Sequence, residues 1–272
     1  MAIITISRGT MSGGKQLAEM LADKLGYRCV SREIIIKAAS EYGVPESKLV
    51  EAIKKSPSLF QKLTFEREQY LAYIQSILCQ YARDDKLIYH GNAGHFLLPG
   101  ISHVLRVRLV ADMPFRIKEA MKQFEFTEKE AVKYINQVDK ERVKWTKFLY
   151  GKDWSSPELY DLVFNLERTD LQFVCNMITQ AVNQPEFKAT PESEKAMRDL
   201  ATSSKLKAAL AGIPHIRLDL LEIAADNKKV VITGKVKTQA ILDEIVKIAN
   251  DMLEFDRVEN KVQVDYRSYG VE

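Results

Sequence analysis

The 272 residues carry 40 Lys and Arg against 37 Asp and Glu, for a formal net charge of +3, and 46% of them are hydrophobic. This near balance argues against a nucleic-acid-binding surface as the main business of the chain, while the apolar content supports a sizeable core. No apolar run reaches the ~18 residues of a membrane span, and no basic region followed by a long apolar stretch opens the chain. Cys29, Cys79 and Cys175 are odd in number, widely spaced and without a C-x-x-C arrangement. They read as reduced buried thiols, and a cytoplasmic protein without integral membrane association is expected.

In chain order, short apolar runs predict strands at Ile3–Ser7, Tyr27–Val30, Leu87–His90, Val104–Val110 and Leu159–Phe164. Helical patterns fall at 15–25, 32–42, 58–83, 114–123, 128–148 and 170–183. Val/Ile/Leu-rich strands alternating with helices predict a parallel sheet covered on both faces. The polar, Pro-flanked stretch from Gln184 to Glu194 reads as a linker. The pattern then changes to a helix over 194–210, strands Ile216–Leu220 and Val230–Val236, a helix over 238–252 and a strand Val258–Val264. The expected division is a first domain over 1–183, a linker and start of helix over 184–202, and a small αββαβ domain over 203–272.

Between the first strand and the first helix lies Gly9-Thr10-Met11-Ser12-Gly13-Gly14-Lys15-Gln16. Strand, glycine-rich turn and helix in that order suit a phosphate cradle: glycines let backbone N–H groups converge, and the helix N-terminus and Lys15 add positive charge. The G-x-x-x-x-G-K pattern is complete, but Gln16 stands where Ser or Thr usually binds Mg²⁺. The alternative is an ordinary glycine-rich turn that holds nothing.

The stretches Ile4-Thr5-Ile6-Ser7-Arg8, Ser12-Gly13-Gly14-Lys15, Ser31-Arg32-Glu33-Ile34-Ile35, Asp139-Lys140-Glu141-Arg142 and Tyr160-Asp161-Leu162-Val163-Phe164-Asn165 occur in one order. Together they resemble the cytidylate kinase-like family of P-loop nucleoside-monophosphate kinases over residues 1–183. The resemblance implies a three-layer α/β/α fold with a five-stranded parallel sheet, a mobile lid, and transfer of the ATP γ-phosphoryl group, with Mg²⁺, to a nucleoside monophosphate such as CMP. It implies that Gly9, Ser12, Gly13, Gly14, Lys15 and Gln16 hold the donor and that Arg32 binds the acceptor phosphate. Arg116 and Arg142 would reach the donor phosphates from the lid, where the planar guanidinium fork suits phosphate oxygens. Asp139, three residues before Arg142 on one helical face, would orient it. Each has a plainer reading: Arg32 as a cap or a partner of Glu33, Arg116 as part of a solvated face with Lys118, and Asp139 with Arg142 as a surface ion pair.

This sequence also departs from the family pattern. After the third strand the family carries Gly-Arg-Gly, and here Gly91-Asn92-Ala93-Gly94 puts an amide in place of the charge, with Asn92 as a substrate-binding candidate. Ser31 replaces an acidic residue. These changes keep open a nucleotide-binding regulator with weak catalysis. His90 and His95 flank the turn, and two histidines alone make a poor metal site. The stretch from Phe60 to Arg83 reads as a core face or a second-subunit contact, which leaves a homodimer open. Trp145 to Trp154, aromatic and basic, reads as an anchor for the lid. Residues 203–267, with Thr233-Gly234 after an apolar strand, look like a BON domain, which implies a protein or small-ligand partner. Gly234 would permit a bend or bulge. Nucleotides are the expected ligands and nucleic acid is not.

Overall fold

The computed structural model describes residues 2–54, 64–91, 94–252 and 256–266. The chain divides into two compact units, and the division interleaves along the sequence. The first gathers Met1–Ile34, Val50–Pro57 and Asp84–Thr190; the second gathers Ile35–Leu49, Ser58–Arg83 and Pro191–Glu272.

The first unit is built on five parallel strands: β1 (Ile3–Arg8), β2 (Arg28–Val30), β3 (Leu87–His90), β4 (Val104–Val110) and β5 (Leu162–Asn165), in the order β2-β3-β1-β4-β5. β1 sits centrally, with Ile3 opposite both Leu87 and Val104. Its apolar residues Ile3, Ile4 and Ile6 are essentially inaccessible, as they must be in a parallel strand covered on both faces. Helices α1 (Gly14–Leu25) and α8 (Leu171–Ala181) pack on one face. Leu17, Ala18 and Leu21 there meet Val174, Cys175 and Ile178 over Ile4, Ile6 and Val107. The remaining elements of this unit are α5 (Gly94–Leu97), α6 (Met113–Phe124) and α7 (Glu128–Tyr150). A smaller cluster of Ala120, Ala131 and Ile135 joins α6 to α7.

The fifth strand departs furthest from the sequence expectation in this unit. The strand predicted from Leu159 begins at Leu162, after a 3₁₀ turn at Pro157–Leu159. Asp161 instead ties the strand's entry to β4: its carboxylate accepts the Arg106 N–H (2.8 Å) and pairs with the Arg106 guanidinium (2.6 Å).

In the second unit lie α2 (Arg32–Tyr42), apart from its first turn, α4 (Thr64–Ala82) and α9 (Pro191–Ala211). α3 (Glu46–Lys54), absent from the sequence expectation, spans the point where the two units divide. Of the predicted 58–83 helix, Phe60 and Leu63 lie outside the described residues. The run Ala72, Tyr73, Ile74 and Ser76 to Cys79 is buried on consecutive positions, so more than one face of α4 is covered. α9 supplies much of that cover from the same chain. The Tyr42 ring stacks on Tyr73 at 4.2 Å and its hydroxyl is 2.8 Å from Ser76 Oγ. Burial pushes the Cys79 thiol up to about 12, beside the Ser204 hydroxyl of α9. Cys29, Cys79 and Cys175 are thiols outside any disulfide.

The C-terminal αββαβ order is α9, β6 (Leu221–Asp226), β7 (Lys229–Val236), α10 (Gln239–Asp251) and β8 (Arg257–Val264). β6 and β7 are antiparallel, joined by Asn227 and Lys228 at positive φ (47° and 65°), as a two-residue hairpin requires. β8 runs parallel to β7. The strand predicted at Ile216–Leu220 does not form there: Leu218–Leu220 closes a 3₁₀ turn beside the Arg217–Asp219 pair (2.8 Å), and the strand begins at Leu221. Pairing runs without a bulge through Gly234. Among the described residues no helix is long and apolar enough to cross a membrane.

Because α4 and α9 belong to one compact unit, a nick between them is expected not to separate the chain. Residues 184–190 are largely exposed around the 3₁₀ turn Pro185–Phe187, so limited proteolysis should cut there first. The two fragments should then co-elute on gel filtration. Separation into two folded pieces would show that α9 is dispensable to α4.

Candidate active site

The loop after β1 lies at the carboxyl edge of the sheet, beside the ends of β3 and β4, where open α/β sheets bind ligands. Its first link is the Gly9 N–H, which donates to the Leu109 carbonyl of β4 (3.3 Å). Ser12 N–H then closes a turn on the Gly9 carbonyl (3.3 Å), and Gly13, at φ 72°, caps α1. Met11 also has positive φ (62°), unusual for a residue with a side chain. Its side chain packs against the α6–α7 cluster, which offsets the strain. A Cβ on Gly9 would lie 2.8 Å from Ser12 Oγ, so this position has no room for a larger residue without displacing that hydroxyl.

α7 brings Asp139 and Arg142 to this loop. The helix is started by a capping box, Thr127 with Glu130, and ended by Gly151 in the left-handed conformation. One Asp139 carboxylate oxygen accepts both the Thr10 N–H (3.1 Å) and the Thr10 hydroxyl (2.7 Å). Its other oxygen pairs with the Arg116 guanidinium. Arg116 Nε donates to the Thr10 carbonyl (2.7 Å), and Arg142 Nη1 donates to the Arg8 carbonyl (2.7 Å) while lying 3.7 Å from Asp139. Asp139 and Arg142 thus form more than a surface i,i+3 pair, and Arg116 is not part of a solvated face. Together they grip the loop through its backbone.

Arg8, to which the sequence reading gave no role, has its side chain across Gly14. A Cβ on Gly14 would sit 2.0 Å from Arg8 Cδ. Burial lowers the Arg8 pKa, and burial and then the nearby Arg8 charge bring Arg142 to about 10. Arg8 Nε, Arg142 Nε and Ser12 Oγ are buried without a hydrogen-bond partner.

Lys15 and Gln16 stand exposed on the first turn of α1, with Lys15 Nζ 3.6 Å from Glu19. Arg32 is exposed at the start of α2, just past β2. The Glu33 carboxylate turns back to accept the Ser31 N–H (2.8 Å). Asn92 lies outside the described residues. His90 and His95 are buried and held near pKa 4, chiefly by desolvation, so both are neutral at pH 7. No group of three or more potential metal ligands occurs among the described residues. Gly94 is needed because its Cβ would lie 2.2 Å from the Tyr89 ring.

The aromatic stretch anchors the end of α7. Tyr150 stacks on Phe96 (4.4 Å), Arg108 lies over the Trp154 ring (4.2 Å), and the Tyr160 hydroxyl donates to the Trp154 carbonyl (2.7 Å). A small cavity, with room for about one water molecule, opens among Ser7, Arg8, Phe96, Arg142, Trp145 and Trp154, with His95 and Thr146 completing its wall.

No curated protein matches the chain. Among solved structures, an uncharacterized protein from Eubacterium ventriosum aligns at 17% identity over 68% of this chain and 99% of its own, with a TM-score of 0.54. A shikimate kinase from Acinetobacter baumannii in complex with shikimate aligns at 13% identity over 69% and 97% (TM-score 0.38). A dephospho-CoA kinase from Campylobacter jejuni aligns at 13% over 66% and 96% (TM-score 0.34). The sequence profile of the cytidylate kinase-like family matches residues 3–168, more than half of the chain, which therefore belongs to that family.

Proposed function

We propose that the first unit transfers the γ-phosphoryl group of ATP to a nucleoside monophosphate of the CMP class, in the cytoplasm. The observation that carries this reading is the convergence of Arg116, Asp139 and Arg142 on the glycine-rich loop. Phosphoryl transfer asks a protein chiefly to position anions and to balance the charge of the transferring group, and this cluster brings guanidinium groups to a backbone cradle.

The residues fit a phosphate chain. Gly13 turns the loop into α1 at φ +72°, Ser12 Oγ is a buried hydroxyl in want of a partner, and Lys15 offers its charge from the outer edge. Mg²⁺, when bound, would supply positive charge that offsets that of the donor phosphates. The Gln16 side-chain oxygen and the Ser12 hydroxyl are the candidates to face it, both hard oxygen donors. Arg32, beyond β2, would take the acceptor phosphate, and Asn92 is the second candidate for substrate binding. Asp139 acts by positioning Arg116 and Arg142.

A second reading, a nucleotide-binding regulator, draws on Gln16 and on the same guanidinium groups being engaged with loop carbonyls. In it the αββαβ module, BON-like in element order, would dock a partner or small ligand. A coupled ADP-release assay over a panel of nucleoside monophosphates, run beside equilibrium ATP binding, separates the two. Acceptor-dependent ADP release, greatest with CMP or dCMP, is expected. ATP binding with no acceptor-dependent release would overturn the kinase reading and favour the regulator.

A further inference from the structure

Resting on the reading of this loop as a nucleotide-phosphate site, we infer that the cation inside it is Arg8, delivered from the strand side, and that Lys15 is a peripheral charge. The pattern G-x-x-x-x-G-K works because the lysine follows the glycine at the loop-to-helix junction and turns back over the phosphates. Here the sequence pattern pairs Gly14 with Lys15, but α1 is capped one residue earlier, by Gly13. The first helical residue is therefore Gly14. Lys15 comes about 100° further round the helix, since 3.6 residues make one turn. Its side chain is 71% exposed and faces Glu19 one turn along.

The space that a side chain at residue 14 would enter is filled by Arg8. A Cβ there would lie 2.0 Å from Arg8 Cδ, 2.9 Å from Nε and 3.0 Å from Cγ. Gly14 and Arg8 are thus complementary: the residue without a side chain makes room for a cationic one from the other end of the loop. Arg8 Nε–H is buried without a hydrogen-bond partner, as is Arg142 Nε–H, and both residues line the same cavity. Buried donors are nearly always satisfied in native proteins, so two unsatisfied guanidinium N–H groups on one cavity call for an acceptor from outside the chain.

Charge narrows what that acceptor is. The groups acting electrostatically on Arg142 are Arg8, Asp139, Tyr134 and Arg116. Three guanidinium groups face one carboxylate there, and His90 and His95 are neutral at pH 7. The balance is an excess of positive charge, which suits an anionic phosphoryl group. Arg8 would also supply charge that the Asn92 position lacks.

The test is calorimetric titration of the full-length protein with ATP, ADP and pyrophosphate, so that binding is read without turnover. Arg8→Gln is expected to weaken ATP binding by about 10- to 100-fold, the range for a lost charge-assisted hydrogen bond. Lys15→Ala should weaken it by a smaller factor than Arg8→Gln does, as for an exposed charge at the edge of the site. The transposed variant Arg8→Gly/Gly14→Lys returns a cation to the conventional position and should recover binding to within about fivefold of the wild type. A merely structural arginine would not be rescued in this way, and the double variant keeps the test decisive if Arg8→Gln melts too low to titrate. Unchanged ATP affinity in Arg8→Gln, or a larger loss in Lys15→Ala, overturns the assignment. So does a folded double variant without binding. A wild type that binds none of the three ligands overturns this inference and the nucleotide-site reading together. ATP binding without transfer removes only the kinase reading and leaves the Arg8 comparison intact.

Discussion

Replacing Asp139 by alanine is expected to lower stability by about 3 kcal/mol, with the glycine-rich loop released from α7. The carboxylate serves four donors at once: the Thr10 N–H, the Thr10 hydroxyl, Arg116 and, at 3.7 Å, Arg142. Removing one partner of a buried ion pair costs about 3–5 kcal/mol, because the surviving charge is left without compensation. Arg116 and Arg142 are 12% and 15% exposed in their side chains, whereas Asp139 is 25% exposed, so water relieves part of the penalty and the lower end of that range applies. For a chain of this size the loss corresponds to a fall in melting temperature of roughly 6–12 °C. Asp139→Asn keeps one oxygen for Thr10 but removes the charge, and should fall between alanine and the wild type. Thermal melts of the three proteins, with amide exchange at Thr10 as a local probe, check the ordering. A loss below about 1 kcal/mol for alanine would mean that the loop holds its shape without α7.

The sheet was legible because its central strands are uninterrupted apolar runs between polar boundaries. Leu87–His90 and Val104–Val110 coincide with the expected limits. Where a strand's entry is fixed by side-chain chemistry the apolar pattern misleads. Tyr160 and Asp161 look like part of β5, yet one ties down the Trp154 carbonyl and the other ties β4. The alternation Ile216-Arg217-Leu218-Asp219-Leu220 has the period of a strand, and a local Arg217–Asp219 pair makes a turn of its second half. α3 was missed because it is short and mostly polar.

At the candidate site, the i,i+3 spacing of Asp139 and Arg142 indicated a shared helical face. It carried nothing about their partners, Thr10 and Arg8, which lie 129 and 134 residues away in sequence. Arg8, at the end of Ile4-Thr5-Ile6-Ser7-Arg8, has no role legible in the sequence, because the meaning of Gly14's missing side chain depends on what occupies the vacated space. The interleaved division of the chain was equally invisible. Nothing in a Pro-flanked polar stretch reports that the helix after it will pack on one more than a hundred residues earlier.

Gly234→Ala is expected to damage the C-terminal sheet more than any other single methyl group there. Gly234 lies in β7, the middle strand, opposite Leu221 of β6 and Val262 of β8. Its φ of +127° is strained for any residue with a side chain. A Cβ would also meet the Leu220 carbonyl oxygen at 2.0 Å, with Leu220 C and Leu221 Cα at 3.0 Å. All three atoms are backbone, so no rotamer change can relieve the contact. The glycine thus permits one chain to cross close to another, not the bend or bulge that the sequence suggested. Gly43→Ala supplies the control: it too has a left-handed backbone (φ +64°), but with nothing within 4 Å of the new methyl. It should cost about 1–2 kcal/mol from backbone strain alone. Gly234→Ala should exceed it by at least about 2 kcal/mol, since β6 and β7 must part for the methyl to enter. Hydrogen exchange localises the effect, with protection lost first at the amides of β6 and β7. Equal costs for the two variants would mean that the Leu220 carbonyl yields freely, and that conformational freedom alone accounts for the glycine.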